Sequence, residues 1–164
     1  MRIPYTNFKN QVAGEIHETD TPEIFDDKKI IVFGVPAAFT PLSTKHIKEY
    51  DDKYNAIKEL GIDEIYCTSV NDSFVMSAWI KDIGIKNVKT LPDGEGVFAQ
   101  GMGMLVNKPT QGLGMRSWRY SALIDNMEVK HFNEEPGYNN ASADDDPFEV
   151  SDADTMMQQI KEAQ

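Results

Sequence analysis

Cysteine is almost missing from this chain: Cys67 is the only one in 164 residues. A single thiol closes no internal disulfide, which excludes the disulfide-stapled folds of small secreted domains. There is no Cys-x-x-Cys pair, and His17, His46 and His131 fall at no zinc-ligand spacing with one another or with Cys67, so no metal is expected. Long apolar runs are lacking as well. None approaches the roughly 18 residues that span a bilayer, and the amino terminus Met1-Arg2-Ile3-Pro4-Tyr5 has no signal-peptide core, so a cytoplasmic address is expected. Positive charge is in deficit: 16 Lys and Arg against 27 Asp and Glu give a net charge of −11. That balance argues against nucleic acid and anionic membranes as partners. The acidic clusters, among them Asp144-Asp145-Asp146, Glu149, Asp152 and Asp154, read as a solvated surface.

What is present is ordinary globular composition, 40% hydrophobic and 26% charged, in a length that suits a single domain over 1–164. Lys28 to Val35 is a short β-branched run ending at Pro36 and reads as a buried central strand. Ile47, Tyr50, Tyr54, Ile57 and Leu60 recur at helical spacing and predict a helix stopped by Gly61. Glu64 to Val70 predicts a second buried strand, and Phe74, Met76, Trp79, Ile80 and Ile83 a helix stopped by Gly84. Val88 to Leu91 reads as a strand leading to the turn Pro92-Asp93-Gly94. Trp118 to Ile124 and Val129 to Phe132 read as a hairpin around Asp125-Asn126. Ser151-Asp152-Ala153-Asp154 resembles a capping box before a carboxy-terminal helix, and Glu134 to Pro147 reads as a surface loop. This order implies an α/β fold with a mixed central sheet flanked by helices. Gly101-x-Gly103 and Gly112-x-Gly114 lack the context of a dinucleotide loop.

The chemistry concentrates in Val35-Pro36-Ala37-Ala38-Phe39-Thr40-Pro41-Leu42-Ser43-Thr44-Lys45-His46. A helix starting straight after a strand offers unpaired backbone N–H groups and a positive dipole end. A cysteine there has its pKa lowered, and the thiolate is a nucleophile. The segment resembles the active-site loop of the peroxiredoxins, Pro-x-x-x-Thr-x-x-Cys, with Pro36 and Thr40 in register and Ser43 in the cysteine's slot. The likeness to the type-5 peroxiredoxins of the AhpC/TSA redoxin superfamily continues through Ile65-Tyr66-Cys67-Thr68-Ser69-Val70-Asn71-Asp72-Ser73-Phe74-Val75-Met76, Pro92-Asp93-Gly94, Gly101-Met102-Gly103-Met104, Arg116-Ser117-Trp118-Arg119-Tyr120-Ser121 and Asp146-Pro147-Phe148-Glu149-Val150-Ser151-Asp152-Ala153-Asp154-Thr155-Met156.

The resemblance implies a thioredoxin-like fold and a thiol-dependent peroxidase. It reduces hydrogen peroxide and alkyl hydroperoxides through a cysteine sulfenic acid that glutathione with glutaredoxin, or thioredoxin, recycles. By the same resemblance Arg119 is the catalytic arginine, Pro36 shields the nucleophile from water and Thr40 binds the peroxide. Metal, haem and flavin are not implied. A homodimer is, with Phe39, Phe74 and Trp79 as candidates for its interface.

The family's cysteine is followed by Ser-x-x-His, four positions to the histidine. Here Ser43-Thr44-Lys45-His46 supplies that string, yet His46 lies three positions after Ser43, and Cys67 is likewise one place short of the family register. One residue is therefore absent between Leu42 and Ser43. Three accounts compete. Deletion of a codon would rotate the helix by about 100° relative to its core face. A Cys→Ser replacement would preserve length and put His46 one place later. An oxidised cysteine, outside the twenty standard letters, is what an accessible thiolate becomes, and this account is favoured. The alternative function is an inactive peroxiredoxin-like scaffold or interaction module. Taken alone, Ser43 reads as a helix-cap serine, Cys67 as core, His46 as an ordinary first-turn residue and Arg119 as a solvent-facing strand charge.

Overall fold

The computed structural model describes residues 1–138 and 145–164. Its elements run β1 (Asn7–Val12), β2 (Glu15–Asp20), α1 (Thr21–Phe25), β3 (Lys29–Gly34), α2 (Pro41–Asp52), α3 (Tyr54–Glu59), β4 (Glu64–Ser69), α4 (Ser73–Asp82), β5 (Lys89–Pro92), α5 (Val97–Gly101), β6 (Leu105–Lys108), β7 (Gly114–Ser117), β8 (Tyr120–Asp125), β9 (Glu128–Glu134) and α6 (Ala153–Glu162). Five strands form the central sheet in the order β5-β4-β3-β8-β9. β3 pairs in parallel with β4, and β4 with β5, whereas β8 joins β3 and β9 antiparallel. The expected mixed sheet is therefore present, with the run around Ile31 at its centre.

Because side chains alternate along a strand, β3 feeds two cores. Ile31, Phe33 and Val35 pack with Ile47, Tyr50, Ile57, Met76, Trp79, Met156 and Ile160 from the helices. Ile30 and Val32 pack on the other face with Phe25, Phe98, Trp118 and Tyr120. Each such buried side chain contributes about 1.5–3 kcal/mol. Gly61 and Gly84 stop their helices with φ of 97° and 72°, the left-handed backbone that glycine adopts without a Cβ penalty. The β8–β9 turn uses Asn126 (φ 47°) and Met127 (φ 72°), two left-handed residues matching the twist of a tight hairpin.

Several expectations need correction. The helix read from Ile47 to Leu60 starts at Pro41 and divides at Lys53 into α2 and α3. α6 is capped by Asp152, whose carboxylate accepts from Thr155 N at 3.2 Å, while the Ser151 hydroxyl turns inward. Trp79 is fully buried, its indole N–H donating to Thr44 Oγ1 at 3.2 Å, so it belongs to the core and not to a dimer interface. The β1–β2 hairpin, α1, α5, β6 and β7 were not foreseen. Part of the loop expected over Glu134 to Pro147 falls outside the described residues.

Candidate active site

The loop between β3 and α2 is held from below. Ala38 N donates to Asn71 Oδ1 at 3.1 Å, and Ser69 Oγ donates to the same oxygen at 2.6 Å. Val35 N donates to Thr68 O, so the loop leaves the sheet directly above β4. Phe39 turns the chain with φ 68°, a conformation that costs a non-glycine residue about 1–2 kcal/mol. Thr40 stands at the helix N-cap, and its hydroxyl donates to Ala37 O at 2.8 Å. With that proton engaged, Thr40 Oγ1 has lone pairs to offer, which suits it to accept from a peroxide O–H.

Behind the loop lies a fully buried arginine. Arg119, between β7 and β8, donates from Nε to Asp146 Oδ1 and from Nη2 to Asp146 Oδ2, both at 2.8 Å. Nη2 also donates to Ser43 Oγ, and Nη1 to His46 Nδ1, both at 3.0 Å. A guanidinium has five N–H groups, and these four bonds leave one, on Nη1. The fork-on-carboxylate pairing with Asp146 fixes the plane of the group.

His46 is equally determined. Its Nε2 lies 2.9 Å from Ser151 O. A carbonyl only accepts, so Nε2 carries the proton and Nδ1 presents a lone pair to Arg119. Burial, and then the Arg119 charge, holds the imidazole well below its ordinary pKa. The ring is packed between Phe33 and Phe148, each centroid 4.6 Å away.

The structure thus brings Ser43 and Arg119 into contact and sets Pro36 and Thr40 beside them, but not all in one cavity. A pocket of about 250 Å³ is lined by Pro36, Thr40, Pro41, Leu42, Lys108, Gln111, Leu113 and Asp146. Ser43 and Arg119 are fully buried beneath it. Ser43 is not the helix cap; it is the third residue of α2, within its first turn, accepting from Arg119. Leu42, four residues before His46, faces the pocket from the helical position that the family's Cys-Ser-x-x-His spacing assigns to cysteine. On α2 itself Ser43, His46, Ile47 and Tyr50 are the buried residues, so the helix turns a continuous stripe toward the core. A larger groove of about 690 Å³ lies along β1, β2 and the start of α4, away from Arg119.

Three members of this site play parts that the sequence alone does not suggest. His46 reads as an ordinary first-turn residue, Asp146 as solvated acid and Ser151 as part of a capping box, yet all three join the network around Arg119. Only the run Asp146-Pro147-Phe148-Glu149-Val150-Ser151, shared with the family, pointed to a segment used for more than solubility. Arg119 is fully buried, where the strand pattern alone suggests a solvent-facing charge. Cys67 is core, its thiol pushed up by burial. Among the described residues no cluster of His, Cys, Asp or Glu could hold a metal ion, and no helix is long and apolar enough to cross a membrane.

Comparison with known proteins agrees with this geometry. The Redoxin family model matches residues 2–156. The chain is 42% identical to peroxiredoxin sll1621 of Synechocystis, over 99% of this chain and 91% of that one. It is also 42% identical to the hybrid peroxiredoxin hyPrx5 of Haemophilus influenzae, over 97% of this chain and 64% of that protein. The crystal structure of the antioxidant protein of Plasmodium falciparum, a 1-Cys peroxiredoxin, superposes with a TM-score of 0.93 at 32% identity, covering 99% and 97% of the two chains. With the thioredoxin-like sheet, the Pro36–Pro41 loop and the buried arginine at the start of α2, these likenesses identify the chain as a member of the peroxiredoxins, a family of thiol peroxidases, on the type-5 side of the AhpC/TSA redoxin superfamily.

Proposed function

We propose that this protein, one redoxin domain over 1–164, is a cytoplasmic peroxidase for hydrogen peroxide and small alkyl hydroperoxides, working through a cysteine between Leu42 and Ser43. The observation that carries the reading is Arg119, desolvated and oriented at the first turn of α2. In a dry site its charge favours a thiolate far more than it would in water. The thiolate sulfur attacks the hydrogen-bearing peroxide oxygen; an S–O bond forms as the O–O bond breaks. The departing alkoxide or hydroxide takes up a proton equivalent to the one the thiol gave to solvent on ionising, leaving as alcohol or water. Thr40 holds the peroxide O–H, the positive charge of Arg119 favours the departing oxygen, and Pro36 walls off water.

The cysteine becomes a sulfenic acid. Cys67 is buried in the sheet and does not serve as a resolving thiol. An external thiol therefore condenses with the sulfenic acid, releasing water, and a second thiol frees the cysteine as a disulfide leaves. Glutathione with glutaredoxin, or thioredoxin, fits this role. The protein works as a homodimer, for which Phe39 and Phe74, 52% and 61% exposed, are suited.

Intact mass tests the central claim. The expected mass exceeds that of the 164 letters by one cysteine residue plus two or three oxygens, and reduced protein bearing the thiol consumes peroxide with a glutathione or thioredoxin system. A mass equal to the 164 letters overturns it. Leu42, an apolar residue in the nucleophile's helical position, then favours the second reading, an inactive scaffold that keeps the fold and the arginine.

A further inference from the structure

A second carboxylate, the buried one of Glu135, belongs to a residue that meets Arg119 through its backbone. Glu135, just beyond β9, is fully buried. Its backbone N–H donates to Arg119 O at 3.2 Å, and its carbonyl accepts from Trp118 Nε1 at 2.7 Å. Its side chain meanwhile grips a separate segment. Oε1 accepts from Glu149 N at 2.7 Å; Oε2 accepts from Val150 N at 2.9 Å, Ser151 N at 2.7 Å and Ser151 Oγ at 2.6 Å. Such dense acceptance on one carboxylate is what a nest of backbone N–H groups provides.

The gripped segment is the one that encloses the arginine. From 145 to 151 it supplies Asp146 to the guanidinium, Phe148 to the His46 ring and Ser151 O to His46 Nε2. Tyr50 donates to the same carbonyl at 3.0 Å. We propose that Glu135 is a positioning residue for the peroxidase reaction: by fixing the Ser151 carbonyl it holds His46 in its Nε2-protonated form, and that form keeps a lone pair on Nδ1 for Arg119. The reverse tautomer would set an N–H against the guanidinium and turn one of its donors away. Among the described residues, no other side chain of the network joins the backbone of Arg119 to the segment covering it. The groups facing His46 are Arg119, Ser151, Tyr50, Phe33 and Phe148, with Asp146 held across the guanidinium. Arg119 cannot change charge, so the tautomer is set by where Ser151 O stands.

The test is nuclear magnetic resonance of the His46 ring nitrogens in the full chain, in the wild type, in Glu135→Gln and in Phe8→Leu, a destabilising control on the other face of the sheet. The side-chain amide that Glu135→Gln introduces must set an N–H against at least one backbone N–H of 149–151. The wild type is expected to show a single form, protonated on Nε2. Glu135→Gln should mix the tautomers and speed exchange of the Nε2 proton about tenfold, as loss of a bond to an ionised acceptor predicts. Phe8→Leu should leave the signature unchanged. Wild-type signals in Glu135→Gln, or equal change in the control, overturn the proposal. Should Glu135→Gln fail to fold, Ser151→Ala decides: it removes one donor to Oε2 and keeps the carbonyl, and is expected to speed exchange by a smaller factor, while no change overturns the proposal. The inference rests on Arg119 acting at the reaction centre, but its readout needs no turnover, so a failure of the tautomer network is distinguished from a failure of the peroxidase reading.

Discussion

At the scale of single residues, the site turns on which side chain of α2 looks into the pocket and which looks at the arginine. Leu42 faces the pocket and Ser43 is sealed. Leu42→Cys and Ser43→Cys therefore separate cleanly. A disulfide reagent such as DTNB should label the thiol of Leu42→Cys rapidly and that of Ser43→Cys at least about a hundredfold more slowly, since a buried thiol reacts only through opening of the structure. Equal rates would mean that the pocket extends to Ser43. Arg119→Lys is a second residue-scale case. An ammonium keeps the charge but cannot span Asp146, Ser43 and His46 with one planar fork. In the cysteine-bearing protein we expect kcat/KM for peroxide to fall by about 10²–10³, while stopped-flow kinetics showing less than a twofold loss would remove the need for the fork.

Residue identity was partly legible in the sequence. Pro36, Thr40 and Arg119 stand out only by family likeness, and the one-residue shortfall by counting to His46 and Cys67. Glu135 and His46 were not found, because a buried polar residue gains its meaning from partners far away in the chain, here 16 residues to Ser151 and 105 from Ser151 back to His46. No local pattern encodes such a pairing.

At the scale of elements, β3 and β8 set the back wall. Gly34 pairs with Tyr120, and a Cβ on Gly34 would lie 2.3 Å from the Tyr120 ring. Gly34→Ala should therefore destabilise the protein by about 1–3 kcal/mol, read from urea unfolding; an unchanged midpoint would mean the ring moves freely. The main strands and helices were legible because β-branched runs and three-to-four spacing report burial directly. The β1–β2 hairpin was not, since Glu15 to Asp20 is largely exposed and polar. The split of α2 from α3 at Lys53 was equally hidden, because the apolar spacing runs through it unbroken.

At the scale of the whole molecule, His46 links the site to stability. Its folded pKa lies well below the unfolded value of about 6.5, so below that pH the unfolded chain binds a proton that the native state refuses. The His46 contribution to stability is expected to be complete above about pH 7 and to fall as the solution is acidified, approaching a slope of about 1.4 kcal/mol per pH unit. Glu49 and Asp93, whose carboxyls burial pushes up, act with the opposite sign at lower pH. Urea unfolding between about pH 5 and 7 should show the slope in the wild type and lose it in His46→Gln; an identical slope in both would assign it elsewhere. Phe74→Glu tests assembly, with a homodimer expected for the wild type by sedimentation and a monomer for the variant.

The inward face of α2 has one more consequence. His46, Ile47 and Tyr50 anchor the helix by its inward face, so the β3–α2 loop should tolerate a change of length without unseating it. Folding and chemistry are thus insulated from each other at this junction. Selection for a stable chain would scarcely notice one residue gained or lost before Ser43, whereas selection for peroxide consumption would notice nothing else so sharply. A library varying loop length between Pro36 and Ser43 would accordingly return many folded proteins and few peroxidases.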